Sequence, residues 1–136
     1  MRVMGIDFGE RRVGIAISDP TGLIAASWGV LDRTSNAQVA DRVATLTKEL
    51  EVGGVVLGMP LDAQGGEGFQ ARRVRRFAAL LEERLSVALT LWDERYTSVD
   101  AEALLRERGV RSGKRRQPID AVAAAVLLQS YLDQRR

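Results

Sequence analysis

Four acidic residues occupy places where a carboxylate is hard to explain as surface decoration. Asp7 ends an apolar run inside GIDFG, and aspartate is a poor strand former between neighbours, Ile6 and Phe8, that read as core. Gly5 and Gly9 remove side chains on either side of it, so another backbone or a ligand can come close. Asp93 and Glu94 follow the apolar run VALTLW (87–92). Adjacent residues at a strand's end point to opposite faces, so one of the two addresses the functional side in either register. Asp120 is the single polar side chain of IDAVAAAVLL (119–128), and its helical face continues through Ala124, Leu127 and Tyr131. A carboxylate on such a face is costly unless it is paired or binds a metal. Each site has an ordinary alternative: a turn aspartate opening a hairpin, a solvated loop, a first-turn acid favoured by the helix dipole.

Taken together the acids point to one chemistry. Strand ends and a helix N-terminus converge on one crevice in an open α/β sheet. Carboxylates gathered there repel one another, and divalent cations relieve that repulsion. Cations held by carboxylates are the usual machinery for in-line attack of water on a phosphodiester. The composition narrows the choice further. The chain has no histidine and no cysteine. That removes the usual neutral-pH base, thiolate nucleophiles and nitrogen or sulfur metal sites. A bound metal must be held by oxygen, which suits Mg²⁺ or Mn²⁺.

Basic residues supply a matching surface. Net charge is only +2, from 20 basic and 18 acidic residues, but Lys48 and Lys114 are the only lysines. Arginine's planar fork matches phosphate oxygens, although a GC-rich genome also favours arginine. Arg72, Arg75 and Arg76 lie opposite the apolar side Val74, Phe77, Leu81 and Leu85 of a helix. A second cluster, Arg106, Arg108, Arg111, Lys114, Arg115 and Arg116, abuts Asp120. Both clusters are candidate nucleic-acid contacts, against the alternative of a solvated helix face and a charged loop. Aromatic residues are 5% of the chain, so no base-stacking platform is evident.

The elements that must position these residues follow from pattern. At 136 residues and 46% hydrophobic content the chain makes one domain, residues 1–136, with a real core. RVMGIDF (2–8) and RVGIAIS (12–18) flank the tight GER turn as a hairpin, and a third strand is expected at Ala25–Leu31. Ser35 with Gln38 opens a capping box for a helix to about Leu50, ended by Gly53 and Gly54. VVLGM (55–59) is a buried strand stopped by Pro60, and LDAQGGEG (61–68) is a glycine-rich loop without the GK[ST] of a P-loop. Helices are expected at Phe69–Leu85, at Ser98–Arg108, and from Pro118 to about Gln134, with a strand at Val87–Trp92 and a basic loop at 109–117. The order predicts an α/β mixed five-stranded sheet, its first three strands antiparallel and the remainder parallel, flanked by helices on both faces. No apolar run reaches membrane-spanning length and no secretory leader is visible. With the lack of cysteine this fits a cytoplasmic protein.

GIDFGERRVGIAISD, VVLGMPL, WDERYTS and IDAVAAAVLLQSYL, in that order over the whole chain, resemble the YqgF (RuvX) family. That resemblance implies the ribonuclease H-like fold. It also implies a metal-dependent nuclease of pre-16S ribosomal RNA or of Holliday junctions. The family's proposed catalytic and metal-holding acids fall on Asp7, Glu94 and Asp120. Asp93, which the residues alone do not separate from Glu94, completes the signature with Arg95, Thr97 and Ser98 and is a further metal candidate. Arg95 joins the candidate nucleic-acid contacts. Many members carry an Asn-x-Asp-Gly stretch where this chain has Asp62-Ala63-Gln64-Gly65, so no role is carried over to that loop. The expected partner is RNA, a ribosomal precursor first, with branched or single-stranded DNA as the alternative and a monomer or homodimer as the acting form. A non-catalytic RNA-binding assembly factor is the reading from a different class. An ATPase of the actin and sugar-kinase type shares a similar strand–hairpin motif but needs two such domains, and no second copy is present.

Overall fold

The structure, a computed structural model, describes residues 1–96 and 119–135. Five strands form one sheet in the order β3-β2-β1-β4-β5. They are β1 (Arg2–Phe8), β2 (Arg12–Ser18), β3 (Ala25–Asp32), β4 (Val52–Met59) and β5 (Ala88–Asp93). β1 pairs antiparallel with β2 and β2 with β3, while β4 runs parallel to β1 and to β5. This is the mixed sheet expected from the order of elements. α1 (Asn36–Glu49), α2 (Phe69–Arg84) and α3 (Ile119–Gln134) cover it. The helix expected at 98–108 and the basic loop at 109–117 lie outside the described residues, and so do Arg106, Arg108, Arg111, Lys114, Arg115 and Arg116.

Strand alternation sorts the side chains onto two faces. Met4, Ile6, Val13, Ile15, Val55 and Leu57 meet Val39, Val43, Val74, Phe77 and Leu81 of α1 and α2 in the larger core. Phe8 continues that face and stacks on Phe77, ring centroids 4.2 Å apart. Val3, Ala16 and Val56 point the other way and pack on Ala124, Leu127 and Leu128 of α3. α3 is apolar nearly all round, as a helix buried along most of its surface must be. Its one buried amide, Gln129, ties it to the sheet edge. Gln129 Oε1 accepts from the Ala25 backbone N–H at 2.9 Å, and Nε2 donates to the Leu23 carbonyl at 3.0 Å.

Local chemistry explains most boundaries and corrects one. Ser35 caps α1 by accepting from the Gln38 N–H at 3.1 Å, as its sequence predicts. The expected stop at Gly53 and Gly54 is wrong, because α1 ends before them and Glu51 makes the turn with a positive φ of 55°. Both glycines lie inside β4, where a Cβ on Gly53 would stand 2.7 Å from Met1 Sδ. They make room for the N-terminal residue rather than end a helix. β5 also starts and ends one residue later than Val87–Trp92, which places Asp93 within the strand.

The β2–β3 connection carries one strong local anchor. The Asp19 carboxylate accepts from the backbone N–H of Thr21, Leu23 and Ile24 and from the Thr21 hydroxyl. These bonds hold its carboxyl well below the usual carboxylate range, the Thr21 hydroxyl contributing most. Asp19→Ala is expected to cost about 1 kcal/mol, since the loop is exposed and partly solvated. The sign follows from a depressed folded pKa. The anchor's stability is complete above the unfolded carboxylate's 3.8 and is lost as pH falls below it. Urea denaturation of wild type and variant at pH 7 and pH 3 checks this: the difference should shrink at the lower pH.

No helix among the described residues is long and apolar enough to cross a membrane.

Candidate active site

Asp7 is the penultimate residue of β1 and shares the α3 face with Val3 and Gly5. Its partner across the hairpin is Gly14. A Cβ on Gly14 would lie 2.0 Å from the backbone carbonyl oxygen of Asp120. Only glycine lets the first turn of α3 rest on β2 there, and that contact sets Asp120 beside the end of β1. Gly5 works the same way about two turns along, where a Cβ would stand 2.7 Å from Leu128 Cβ.

The register of β5 turns the adjacent acids to different faces. Gly58 pairs with Trp92 and Met59 with Asp93. Trp92 packs toward α3, so Asp93 points to the opposite face and Glu94, in the 3₁₀ turn Glu94–Tyr96, returns to the α3 side. A Cβ on Gly58 would come within 2.7 Å of Glu94 Oε1. Gly58 is thus a seat for the Glu94 carboxylate. Asp93 is turned away, and both its oxygens are taken by the Arg95 guanidinium at 2.6–3.1 Å. The Arg95 pairing holds its carboxyl below the usual range.

Three of the acids from three separate elements therefore come together. Asp7 and Glu94 are hydrogen-bonded to each other through their side chains, and Asp120 acts on Asp7 electrostatically. Burial raises the Asp7 carboxyl, and the nearby Asp120 charge adds to the rise. Burial also pushes Glu94 up to about 7, with the Asp7 charge the next largest cause. Both carboxyls of the pair are therefore harder to ionise than ordinary ones. A cleft of about 200 Å³ opens over the pair, lined by Phe8, Gly9, Glu10, Gly58, Pro60 and Gln70 among others.

Among the described residues no three acidic side chains are grouped as a ready metal cage. The donor set nevertheless fits a hard divalent cation. It is all oxygen and open to solvent on the cleft side, and the mutual repulsion that helps raise the Asp7 and Glu94 carboxyls is what a cation would relieve.

The basic residues divide. Arg72, Arg75 and Arg76 are exposed on α2 as expected. Arg75 forms a fork with Glu67 at 2.6 and 2.5 Å, and Arg72 reaches the Glu67 carbonyl at 3.4 Å. Arg95 lies on Asp93 and donates to the Ala63 carbonyl at 3.2 Å. Two functional features escape a sequence reading. One is the pair Gly14 and Gly58, whose partners lie far along the chain, whereas the close approach at Gly5 is expected from the sequence. The other is Arg33, which donates to the Gly9 and Glu10 carbonyls at 3.2 Å and caps the Phe8 ring at 4.3 Å, bracing the turn that follows Asp7. Glycine inside a strand pattern signals the first; nothing local signals the second.

Comparison with known proteins places this geometry. The family model described as "RuvX: Holliday junction resolvase" matches residues 1–134. A Thermoanaerobacter pseudethanolicus protein named "Putative pre-16S rRNA nuclease" is 39% identical, the match covering 100% of this chain and 99% of that one. A Myxococcus xanthus protein of the same name is 43% identical, over 100% of this chain and 90% of that one. Among solved structures, Thermus thermophilus RuvC in complex with Holliday junction substrate superposes with a TM-score of 0.70 at 16% identity, covering 99% of this chain and 95% of that one. At that identity the likeness shows the fold alone, a sheet and helices of the ribonuclease H-like class. Full-length matches at about 40% identity to relatives in two different bacteria, together with the family match over nearly every residue, mean that this chain belongs to the RuvX family.

Proposed function

We propose that the chain is a divalent-metal-dependent nuclease that trims the 5′ end of pre-16S ribosomal RNA in the cytoplasm, with Asp7, Glu94 and Asp120 as the residues that hold the metal. One observation carries the reading. Carboxylates from the end of β1 and the turn after β5 line one cleft, and Asp120 from the first turn of α3 lies near enough for its charge to act on Asp7, with glycines at the close approaches. The substrate rests on the names of the full-length relatives.

When bound, Mg²⁺ or Mn²⁺ would activate the attacking water and neutralise charge on the leaving oxygen. The protein's own residues do the rest. Asp7, half-buried on the sheet, offers a rigid oxygen donor, because Gly5, Gly14 and the Arg33-braced turn fix its backbone. Glu94 is the movable donor, since its longer side chain rests on Gly58. Asp120 brings a further carboxylate from the α3 side, and its charge adds to the rise at Asp7. Exposed Arg72 and Arg76 on α2, with the basic segment before Asp120, offer phosphate contacts along the substrate. Backbone contacts of this kind carry no base sequence, so shape governs recognition.

The test is cleavage of a labelled 5′-extended 16S precursor fragment, beside unstructured RNA and a four-way DNA junction, with Mg²⁺, Mn²⁺ or EDTA. Metal-dependent cuts in the precursor that EDTA abolishes are the expected result. Cuts confined to the DNA junction, made by a dimer, would transfer the same chemistry to a junction resolvase, in keeping with the family's description. RNA binding that survives EDTA with no cleavage under any metal would favour an assembly factor.

A further inference from the structure

We propose that Arg95 is a positioning residue that latches the turn carrying Glu94 to the loop after β4, and that it does not contact the substrate. The inference rests on the reading of Glu94 as a metal-holding residue. Arg95 belongs to the signature that suggests a phosphate contact, but its guanidinium is occupied. Nε bonds both Asp93 oxygens at 3.1 and 2.9 Å, Nη2 bonds Oδ2 at 2.6 Å, and Nη1 reaches the Ala63 carbonyl at 3.2 Å. The Arg95 backbone N–H also donates to Asp93 Oδ1 at 2.9 Å, which closes a tight turn around Glu94.

The loop on the other side is built to receive this contact. Asp62 Oδ1 accepts from the N–H of Gln64 at 2.9 Å and of Gly66 at 2.7 Å. Backbone bonds in both directions join Asp62 to Gly65 and Gly66. Gly65 adopts a φ of +85°, and a Cβ there would stand 3.4 Å from Arg95 Nη2. The planar guanidinium thus lies against a glycine face of a pre-formed loop. Four residues before Asp62, Gly58 seats the Glu94 carboxylate. β4 with its following loop and the turn after β5 are therefore joined twice, once through Glu94 on Gly58 and once through Arg95 on Ala63. A lysine cannot span both partners, since it lacks the fork.

The test uses the full chain and four variants: Arg95→Ala, Arg95→Lys, Asp93→Asn, and Arg95→Ala combined with Asp93→Asn. Three readouts are taken: kcat and KM for precursor cleavage, RNA affinity in EDTA across a salt series, and Mn²⁺ affinity by electron paramagnetic resonance. A latch predicts kcat and Mn²⁺ affinity lower by about 10–100-fold in Arg95→Ala, with KM, RNA affinity and its salt slope unchanged. Asp93→Asn should show the same pattern more weakly, Arg95→Lys should recover only part, and the double variant should be no worse than Arg95→Ala alone. A salt slope lower by about one with kcat retained would make Arg95 a phosphate contact and overturn the inference. Wild-type kcat and Mn²⁺ affinity in Arg95→Ala would overturn it equally. If the wild type cuts none of the substrates, the proposed nuclease function fails, while the Mn²⁺ and RNA-binding arms still decide the role of Arg95.

Discussion

Asp7→Asn is expected to reduce metal-dependent cleavage by about 10³-fold or more while making the metal-free protein more stable. Both effects have one cause. Asp7 and Glu94 are half-buried side by side and interact through their side chains, and each has its carboxyl raised above the ordinary range, Glu94 to about 7. A carboxyl whose folded pKa exceeds its unfolded value is harder to ionise in the fold than in the open chain. Folding stability therefore declines as pH rises from the unfolded 4.5 toward about 7 and stays low above it. Asn at position 7 removes the charge that is the second largest cause of the Glu94 shift. The gain is on the order of 1–2 kcal/mol once solvent access from the cleft is allowed for, or about 3–8 °C in melting temperature. It should be present at pH 8 and fade toward pH 4. Divalent metal should reverse the ranking, because cation binding stabilises the wild type by mass action and the variant lacks a donor. Melting curves at pH 5 and pH 8, in EDTA and in Mn²⁺, check all four corners. A variant less stable than wild type in EDTA at pH 8, or equally stabilised by Mn²⁺, would remove Asp7 from the metal-holding role.

The sequence is legible wherever a local rule decides. The β1–β2 hairpin, the Ser35 cap and the buried side of α2 follow from alternation, capping and helical period, and they appear where those rules place them. Three antiparallel strands followed by strands alternating with helices leave few ways to build a sheet, and the mixed one is formed. Asp7, the adjacent Asp93 and Glu94, and Asp120 stand out because an acid in apolar surroundings needs a reason. Long-range pairing is where a sequence reading stops. Asp93 and Glu94 are equivalent until the register of β5 against β4 is known, and that register turns on Gly58 facing Trp92. Gly53 and Gly54 resemble a helix stop but serve Met1, more than fifty positions away. Arg95 reads as a phosphate contact from its neighbours alone, since nothing local shows that Ala63 lies within reach.

The glycine seats make a second prediction, in which two similar substitutions should fail in opposite ways. At Gly14 an added methyl group meets only backbone, the Asp120 carbonyl oxygen at 2.0 Å, its carbon at 2.5 Å and the Ala121 nitrogen at 3.1 Å. None of these can rotate aside, so α3 must lift from the sheet and disturb its contacts with Gly5 and Ala16. Gly14→Ala is expected to cost about 2–4 kcal/mol, at and beyond the upper end of ordinary overpacking, because helix backbone rather than a side chain is displaced. At Gly58 the same methyl group meets Glu94 Oε1 at 2.7 Å and Leu127 Cδ1 at 2.8 Å, both at the ends of side chains. Those ends can turn, so Gly58→Ala should cost only about 1 kcal/mol. Turning Glu94 moves the donor the chemistry needs, and a displacement of about 1 Å at a reacting centre lowers the rate about 10²-fold. Urea denaturation beside single-turnover cleavage separates the two. Gly14→Ala should stand out in the denaturation midpoint, and Gly58→Ala should fold nearly normally and cut poorly. Full activity in Gly58→Ala would mean that Glu94 does not rest on that glycine when it works. The pairing also tests which contacts the site depends on. If both substitutions lowered stability equally and activity only in proportion, α3 docking alone would account for the glycines, and the seat for Glu94 would be incidental to it.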